Sequence, residues 1–94
     1  MRVVNIRYIH EFSTAHPDAK SALASWLAEL EEADWKTPID LKSRYPSASI
    51  LSGKRVVFNI KGNRFRALTL IDYESGVVFL KELGTHAEYD EWAL

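Results

Sequence analysis

One short stretch of the sequence gathers basic and amide side chains around a predicted turn. Residues 59–66 hold three cations, Lys61, Arg64 and Arg66, together with two amides, Asn59 and Asn63. Arginine forks, a lysine point charge and exposed turn amides are groups that bind phosphate oxygens. The stretch therefore predicts a site for a phosphate-containing ligand. The alternative is a basic hairpin tip that only keeps the protein soluble.

A second stretch, Gly84–Asp90, carries titratable side chains at helical spacing. His86, Tyr89 and Asp90 are three and four positions apart, so on a helix they share one face. Histidine exchanges a proton near neutral pH, tyrosine stacks on a base or passes a proton, and Asp90 would orient His86. The alternatives are that His86 is a capping or surface residue and that Tyr89 belongs to the core.

Several other kinds of site chemistry are missing from the sequence. The absence of cysteine excludes disulfides, thiolate metal sites and thiol nucleophiles. His10 and His16 are six positions apart, which does not suit a metal site, and we interpret both as structural or surface residues. No glycine-rich nucleotide loop occurs either. An enzyme of this sequence would therefore work without a metal or cofactor.

Cleavage of RNA is a reaction that such residues can catalyse. The ribose 2′-hydroxyl is an internal nucleophile close to its phosphorus, so the protein must position it and supply an acid, a base and positive charge. Arginine and lysine would stabilise the extra negative charge of the phosphorane. Histidine or tyrosine would protonate the departing 5′ oxygen.

The charges are distributed unevenly along the chain. The net charge is −1, yet seven of the 12 basic residues and none of the 13 acidic residues fall between Leu41 and Ile71. This pattern predicts one electropositive face for a polyanion, or alternatively basic strands that pair with acidic helices. The composition, 47% hydrophobic and 27% charged, is that of a globular domain. We expect one domain, residues 1–94, in the cytoplasm and without a membrane segment.

The first half of the sequence has helical periodicity. We expect one helix that Asn5 caps and that ends at His16–Pro17, and a longer one that Asp18 caps and that runs to Ala33. The dipeptide Thr37–Pro38 predicts the cap and first residue of a short third helix.

The second half has the composition of strands. Residues 55–60, 64–72 and 77–83 are rich in β-branched and aromatic side chains and are separated by turn residues. Thr85, with Glu88 three positions later, predicts a capping box for a closing helix. This order predicts an α+β fold in which N-terminal helices pack on a twisted antiparallel sheet of three to four strands, followed by a short C-terminal helix.

The alternation within the second strand predicts which side chains face the helices. Phe65 and Ala67 should point toward them, and Arg64 and Arg66 toward the other face. That second face should be partly open, because so short a chain cannot cover both.

The sequence resembles the HigB toxins over nearly its whole length. The most specific blocks surround Phe58–Arg66 and Thr85–Asp90. The stretches that carry the resemblance are His16–Ala19, Trp35–Pro38, Tyr45–Ala48, Arg55–Arg66 and Gly84–Asp90.

The resemblance implies a RelE-like fold and an mRNA interferase of a type II toxin–antitoxin module. Such toxins cut messenger RNA in the ribosomal A site by metal-free attack of the 2′-hydroxyl, which leaves a cyclic phosphate and a 5′-hydroxyl. The implied partners are the ribosome, mRNA and a helix-turn-helix antitoxin of the HigA type, whose complex with the toxin binds operator DNA. No cofactor and no metal are implied.

Motif position and residue type together assign expected roles. We expect catalytic roles for five residues, which are Lys61, Arg64, Arg66, His86 and Tyr89. We expect RNA contacts from four residues, which are Lys54, Arg55, Asn59 and Asn63. The alternative function is an inactive RelE-like module that binds RNA or an antitoxin and acts in transcriptional autoregulation.

Overall fold

The second half of the chain forms the centre of a five-stranded sheet, and helices from the first half cover one of its faces. The structure, a computed structural model, describes residues 1–94. In chain order the elements are β1 Arg2–Val4, α1 Arg7–Ala15, α2 Lys20–Glu32, α3 Pro38–Arg44, β2 Ser49–Ile50, β3 Arg55–Ile60, β4 Phe65–Asp72, β5 Val77–Thr85 and α4 His86–Tyr89. One turn of 3-10 helix, Pro17–Ala19, connects α1 to α2.

The strands lie in the order β1-β5-β4-β3-β2. β3, β4 and β5 form an antiparallel meander, β2 joins it antiparallel to β3, and β1 joins it parallel to β5. The predicted α+β class is confirmed, but the sheet has five strands rather than three to four and one pairing is parallel. β1 and β2 have three and two residues, which is too short for alternation to reveal them.

α1 and α2 form the core together with the covered face of the sheet. The indole of Trp26 in α2 meets the buried ring of Phe58 in β3 edge-on, with centroids 5.3 Å apart. The rings of Phe12 in α1 and Phe65 in β4 meet in the same way at 5.8 Å. Burial of each such side chain contributes roughly 1.5–3 kcal/mol. Phe65 and Ala67 face the helices, as the alternation predicted.

Two helices start at the predicted threonine caps, and each threonine belongs to a capping box. Thr37 Oγ1 accepts from the Asp40 N–H at 3.3 Å, and the Asp40 carboxylate accepts from the Thr37 N–H at 3.2 Å. At α4 the Thr85 N–H donates to Glu88 Oε1 at 2.8 Å, and the Glu88 N–H donates to Thr85 Oγ1 at 3.2 Å. Both caps are confirmed, and the second fixes where β5 turns into α4.

The other two predicted caps are wrong. Asn5 adopts a φ of 77°, and its side-chain amide donates to the Leu80 carbonyl at 3.0 Å, so it ties the start of α1 to the sheet. Asp18 lies inside the 3-10 turn, and α2 begins only after Ala19, with no side-chain cap. Tertiary contacts take both side chains away from capping.

The second face of the sheet is covered at one end and open at the other. At the covered end Gly84 of β5 pairs with Arg66 of β4, and a Cβ on Gly84 would lie 2.8 Å from Trp92 Cζ2. Glycine therefore allows the indole to lie directly on the strand. At the open end Leu70 pairs with Phe79, which remains 37% exposed. The prediction of a partly open face is confirmed.

None of the helices combines the length and apolar character that crossing a bilayer requires.

Candidate active site

The turn between β3 and β4 carries two of the predicted cations into solvent. Lys61 and Gly62 both adopt left-handed backbone conformations, with φ values of 54° and 64°. The Arg64 N–H closes the turn on the Lys61 carbonyl at 3.3 Å. All residues from Lys61 to Arg64 are exposed. The turn therefore presents Lys61 and Arg64 at one end of the sheet.

Both of these cations contact Asp18. Arg64 Nη2 lies 2.9 Å from Asp18 Oδ2, and Lys61 Nζ donates to the Asp18 main-chain carbonyl at 2.9 Å. Asp18 belongs to the helical layer, because the next residue, Ala19, is fully buried in the core. The prediction that Arg64 and Arg66 share the open face is therefore wrong. The Arg64 side chain pairs with Asp18 of the helical layer, and Arg66 lies at the covered end of the second face.

Arg66 lies on the other side of the hairpin and is almost completely buried, with 7% exposure. Its Nη1 donates to the Asn63 and Phe65 carbonyls at 2.9 and 3.3 Å, and Nη2 donates to Asn63 Oδ1 at 3.2 Å. The guanidinium carbon lies 5.2 Å from the centroid of the Tyr89 ring.

Arg66 takes part in none of the ion pairs of the chain. A buried cation without a counter-ion is costly, and neutral carbonyls and a ring face offset that cost only in part. Its Nε donates to no group of the protein, so one edge of the fork keeps free donors. Arg66 therefore combines a buried charge with hydrogen-bond donors that no group of the protein uses.

His86 lies beside the same turn. Its backbone N–H donates to the Arg64 carbonyl at 3.0 Å, which extends the ladder one position beyond the Phe65–Thr85 pair. Its imidazole is half-exposed, and Nδ1 lies 3.6 Å from Asp90 Oδ2. The Asp90 carboxylate restricts the orientation of the ring. The structure thus brings the histidine next to the cationic turn.

The ring of Tyr89 covers the Arg66 guanidinium and packs against the indole of Trp92. Their ring centroids are 5.4 Å apart in an edge-to-face arrangement. Trp92 in turn lies on Gly84, the cross-strand partner of Arg66. The arginine, the tyrosine, the indole and the glycine thus form one stack, which we name the Arg66 stack.

The two asparagines of the hairpin have different surroundings. Asn63 accepts two of the Arg66 hydrogen bonds and so positions the guanidinium. Asn59 pairs with Arg66 across the strands and donates to the Ser47 carbonyl at 3.4 Å. Asn63 therefore contacts the buried cation, whereas the Asn59 amide contacts Ser47.

Lys54 and Arg55 lie at the opposite end of β3. Lys61 follows Arg55 by six positions of extended chain, a distance of about 20 Å. Arg55 donates to the Ser52 and Leu94 carbonyls, each at 2.8 Å, and Lys54 Nζ lies 3.9 Å from Asp72 Oδ1. The structure does not bring these two side chains to the cluster around the turn.

A cleft of about 260 Å³ beside Lys61 contains a second polar group. The Tyr45 hydroxyl donates to the Glu29 carboxylate, which also pairs with Arg44 Nη2 at 2.6 Å. Burial and the Glu29 hydrogen bond raise the pKa of Tyr45 far above its usual value. Tyr45 is thus held neutral, and Arg44 already has its counter-ion.

Two residues near the turn were not identified as site residues from the sequence. Asp18 is the ion-pair partner of Arg64 although 46 positions separate them, and no local pattern indicates such a contact. The His16 ring stacks on Phe12 at 4.4 Å and meets Phe65 edge-on at 5.8 Å. His16 thus has a packing role, as predicted.

The largest groove, about 410 Å³, lies between α1 and α2 and not at the turn. It is lined by side chains such as Ile9, His10 and Leu27 and contains none of the predicted site residues. No group of three or more histidine, aspartate or glutamate side chains is placed to hold a metal ion.

Comparison with known proteins identifies relatives over almost the entire chain. Residues 19–92 match the model of the HigB toxin family, described as the RelE-like toxic component of a toxin-antitoxin system. The chain is 27% identical over 92 residues to "mRNA interferase toxin HigB" of Escherichia coli strain K12, covering 96% of this chain and 88% of that protein. The same values hold for "mRNA interferase HigB" of Shigella flexneri. "mRNA interferase HigB" of Escherichia coli O6:H1 is 26% identical over 93 residues, covering 97% and 90%.

These matches agree with the architecture described above. Helices on one face of an antiparallel meander, with a short helix closing the other face, form a RelE-like α+β fold. The chain belongs to the HigB toxin family of toxin–antitoxin systems. The resemblance to HigB toxins inferred from the sequence is confirmed.

Proposed function

We propose that this protein is an mRNA interferase, an endoribonuclease that cuts messenger RNA without a metal ion. The observation that carries the proposal is Arg66, a buried guanidinium with free donors and no carboxylate partner. An unpaired buried charge destabilises the fold, and proteins retain such a charge where it binds an anion. The linkage that is cut in RNA is a phosphodiester, which is an anion. The names of the relatives, which are mRNA interferases, support the same substrate.

The proposed reaction begins with attack of the ribose 2′-hydroxyl on the adjacent phosphorus. The O2′–P bond forms and the P–O5′ bond breaks, which leaves a 2′,3′-cyclic phosphate and a 5′-hydroxyl. Arg66 stabilises the added charge of the phosphorane from inside the site, while Lys61 and Arg64 contact the backbone from the turn. One group accepts the 2′ proton, and another gives a proton to the 5′ oxygen.

His86 is the proposed acid or base, because imidazole exchanges protons near neutral pH and Asp90 restrains it. Tyr89 offers a ring on which a base of the RNA can stack, or a hydroxyl that shares the proton transfer. Asn63 acts by holding Arg66, and Asn59 contributes an amide from its cross-strand position. Lys54 and Arg55 would contact RNA only where the bound strand extends along β3.

The proposed partners follow from the toxin–antitoxin family. The toxin acts in the cytoplasm on mRNA in the ribosomal A site and is neutralised by a helix-turn-helix antitoxin of the HigA type. The toxin–antitoxin complex binds its operator DNA. Induction of the toxin alone should stop growth and translation, and co-expression of the antitoxin should restore both.

Substitutions test the proposal in cells and with purified ribosomes. His86→Ala should slow mRNA cleavage about 10²–10⁴-fold, the usual contribution of a general acid or base. Arg66→Ala should slow it about 10²–10³-fold. His10→Ala and Arg7→Ala are matched controls, since both side chains are exposed on α1, and they should leave cleavage unchanged.

The products of the wild-type reaction discriminate between the possible outcomes. Cyclic phosphate ends that persist in the presence of a chelator support the metal-free mechanism, and replacement of the cleaved ribose by 2′-deoxyribose should stop the reaction. RNA binding without any cleavage would instead identify a non-catalytic RNA-binding module. Equal activity of wild type, His86→Ala and Arg66→Ala would refute the assigned roles.

A further inference from the structure

Asp18 is an acidic residue in the middle of a proposed phosphate-binding cluster. Its carboxylate forms an ion pair with Arg64 at 2.9 Å, and its main-chain carbonyl accepts a hydrogen bond from Lys61 at 2.9 Å. One residue thus engages both cations that the β3–β4 turn presents. Arg66, in contrast, has no acidic partner.

The neighbours of Asp18 fix its position. Pro17 restricts the backbone before it, and the side chain of Ala19 after it is fully buried in the core. The Lys61–Arg64 turn is exposed throughout. The anion is therefore held by the fold, while the two cations are on long side chains that can move.

We propose that Asp18 competes with RNA for Lys61 and Arg64 and so limits how tightly the turn binds the substrate. This inference rests on the proposed function. A phosphate oxygen and a carboxylate oxygen make the same kind of contact with a guanidinium, so both cannot occupy one edge of the fork. RNA must displace the Asp18 carboxylate before a phosphate can bind the edge of Arg64 that contains Nη2. Asp18 lowers the affinity for RNA in this scheme, and it contacts no reacting atom.

The size of the competition follows from the exposure of the pair. The Arg64 and Asp18 side chains are 61% and 42% exposed, and an ion pair at such a surface is weak. Removal of the Asp18 charge should therefore tighten RNA binding only about two- to fivefold. Each cation freed to neutralise a phosphate should also steepen the dependence of log K on log salt by about 0.7.

The experiment compares Asp18→Asn with Asp34→Asn. Asp34 pairs with Lys36 at 2.8 Å between α2 and α3, so its substitution changes the net charge equally at another exposed ion pair. The probe is a single-stranded RNA in which every 2′-hydroxyl is methylated, because it binds without being cut. Affinity is measured by fluorescence anisotropy over a series of salt concentrations.

Asp18→Asn should bind this RNA more tightly than Asp34→Asn and with a steeper salt dependence. The gain should vanish when Arg64→Gln is combined with Asp18→Asn, since the freed cation is then absent. If wild type binds and Asp18→Asn binds no more tightly than Asp34→Asn, the inference is overturned while the proposed function stands. If neither wild type nor Asp34→Asn binds at low salt, the inference is overturned, whereas the proposed function is decided by cleavage of ribosome-bound mRNA.

A measurement on the wild-type protein covers the case in which Asp18→Asn does not fold. The carboxylate of Asp18, labelled with ¹³C, should shift its NMR signal when RNA is added, because Arg64 leaves it. A signal that stays unchanged at saturating RNA overturns the inference.

Discussion

Gly84 is the position at which one methyl group should disturb the candidate site most strongly. A Cβ at Gly84 would lie 2.8 Å from Trp92 Cζ2 and 3.2 Å from the Glu88 Cβ. Carbon atoms in contact are normally about 3.5–4.0 Å apart. In Gly84→Ala the indole must therefore retreat by about 0.7 Å or more, and Tyr89, which packs against it, must move as well.

The expected loss of stability is smaller than the expected loss of activity. Overpacking costs typically about 1–3 kcal/mol, and we expect the lower end because α4 is four residues long and buries none of its side chains. About 1 kcal/mol lowers the melting temperature of a domain of this size by about 4–8 °C. A displacement approaching 1 Å in a catalytic site costs up to about 10²-fold in rate, so cleavage should fall roughly 10- to 100-fold.

Gly76→Ala provides the matched control. Gly76 has a φ of 72°, and no atom lies within 4 Å of the place that a Cβ would occupy, so alanine there is strained without colliding with a neighbour. It should lose roughly 1–2 kcal/mol of stability and retain full activity. Circular dichroism gives the melting temperatures, and ribosome-bound mRNA cleavage gives the rates. Wild-type cleavage by Gly84→Ala would refute the argument that the Arg66 stack positions the site.

Two further predictions concern tyrosines. The ring of Tyr89 faces Arg66, and its hydroxyl makes no hydrogen bond within the protein. The cleavage rate of Tyr89→Phe should therefore stay within about threefold of wild type. The rate of Tyr89→Leu should fall tenfold or more in the same assay. A large loss in Tyr89→Phe would instead assign the hydroxyl to proton transfer. Burial and the Glu29 hydrogen bond raise the pKa of Tyr45 in the folded protein, whereas the unfolded chain has the ordinary value of 10.0. Above pH 10 the folded protein therefore keeps a proton that the unfolded chain loses. The free energy of unfolding, measured with urea, should therefore fall as the pH rises above about 10, and Tyr45→Phe should reduce that fall. Identical pH profiles for the two proteins would contradict this assignment.

Local sequence patterns predicted the elements whose signals are confined to a few neighbouring residues. The threonine caps at Thr37 and Thr85 were correct because both partners of each box lie within three positions. The alternation of Phe65 and Ala67 gave the buried face of β4 for the same reason. β1 and β2 were missed because their pairing depends on the rest of the sheet, and three or two residues carry no period of their own.

The candidate site could be predicted by residue type but not by arrangement. The basic turn and the His86 segment were identified, and the ladder between β4 and β5 brings them together. The burial of Arg66 depends on Tyr89 folding back over it, and the engagement of Arg64 depends on Asp18, 46 positions away. Both contacts arise from packing between distant segments, which residue spacing alone does not encode.

The buried guanidinium of Arg66 lowers the stability of the fold, while its proposed role is in the activity of the protein. An apolar side chain of similar size, such as methionine or leucine, would fill the same space without a desolvation penalty. Loss of toxicity and gain of stability would then coincide in a single substitution. Under the role proposed for Arg66, selection against toxicity and selection for a stable fold would act in the same direction at this position, and only selection for activity would retain the arginine.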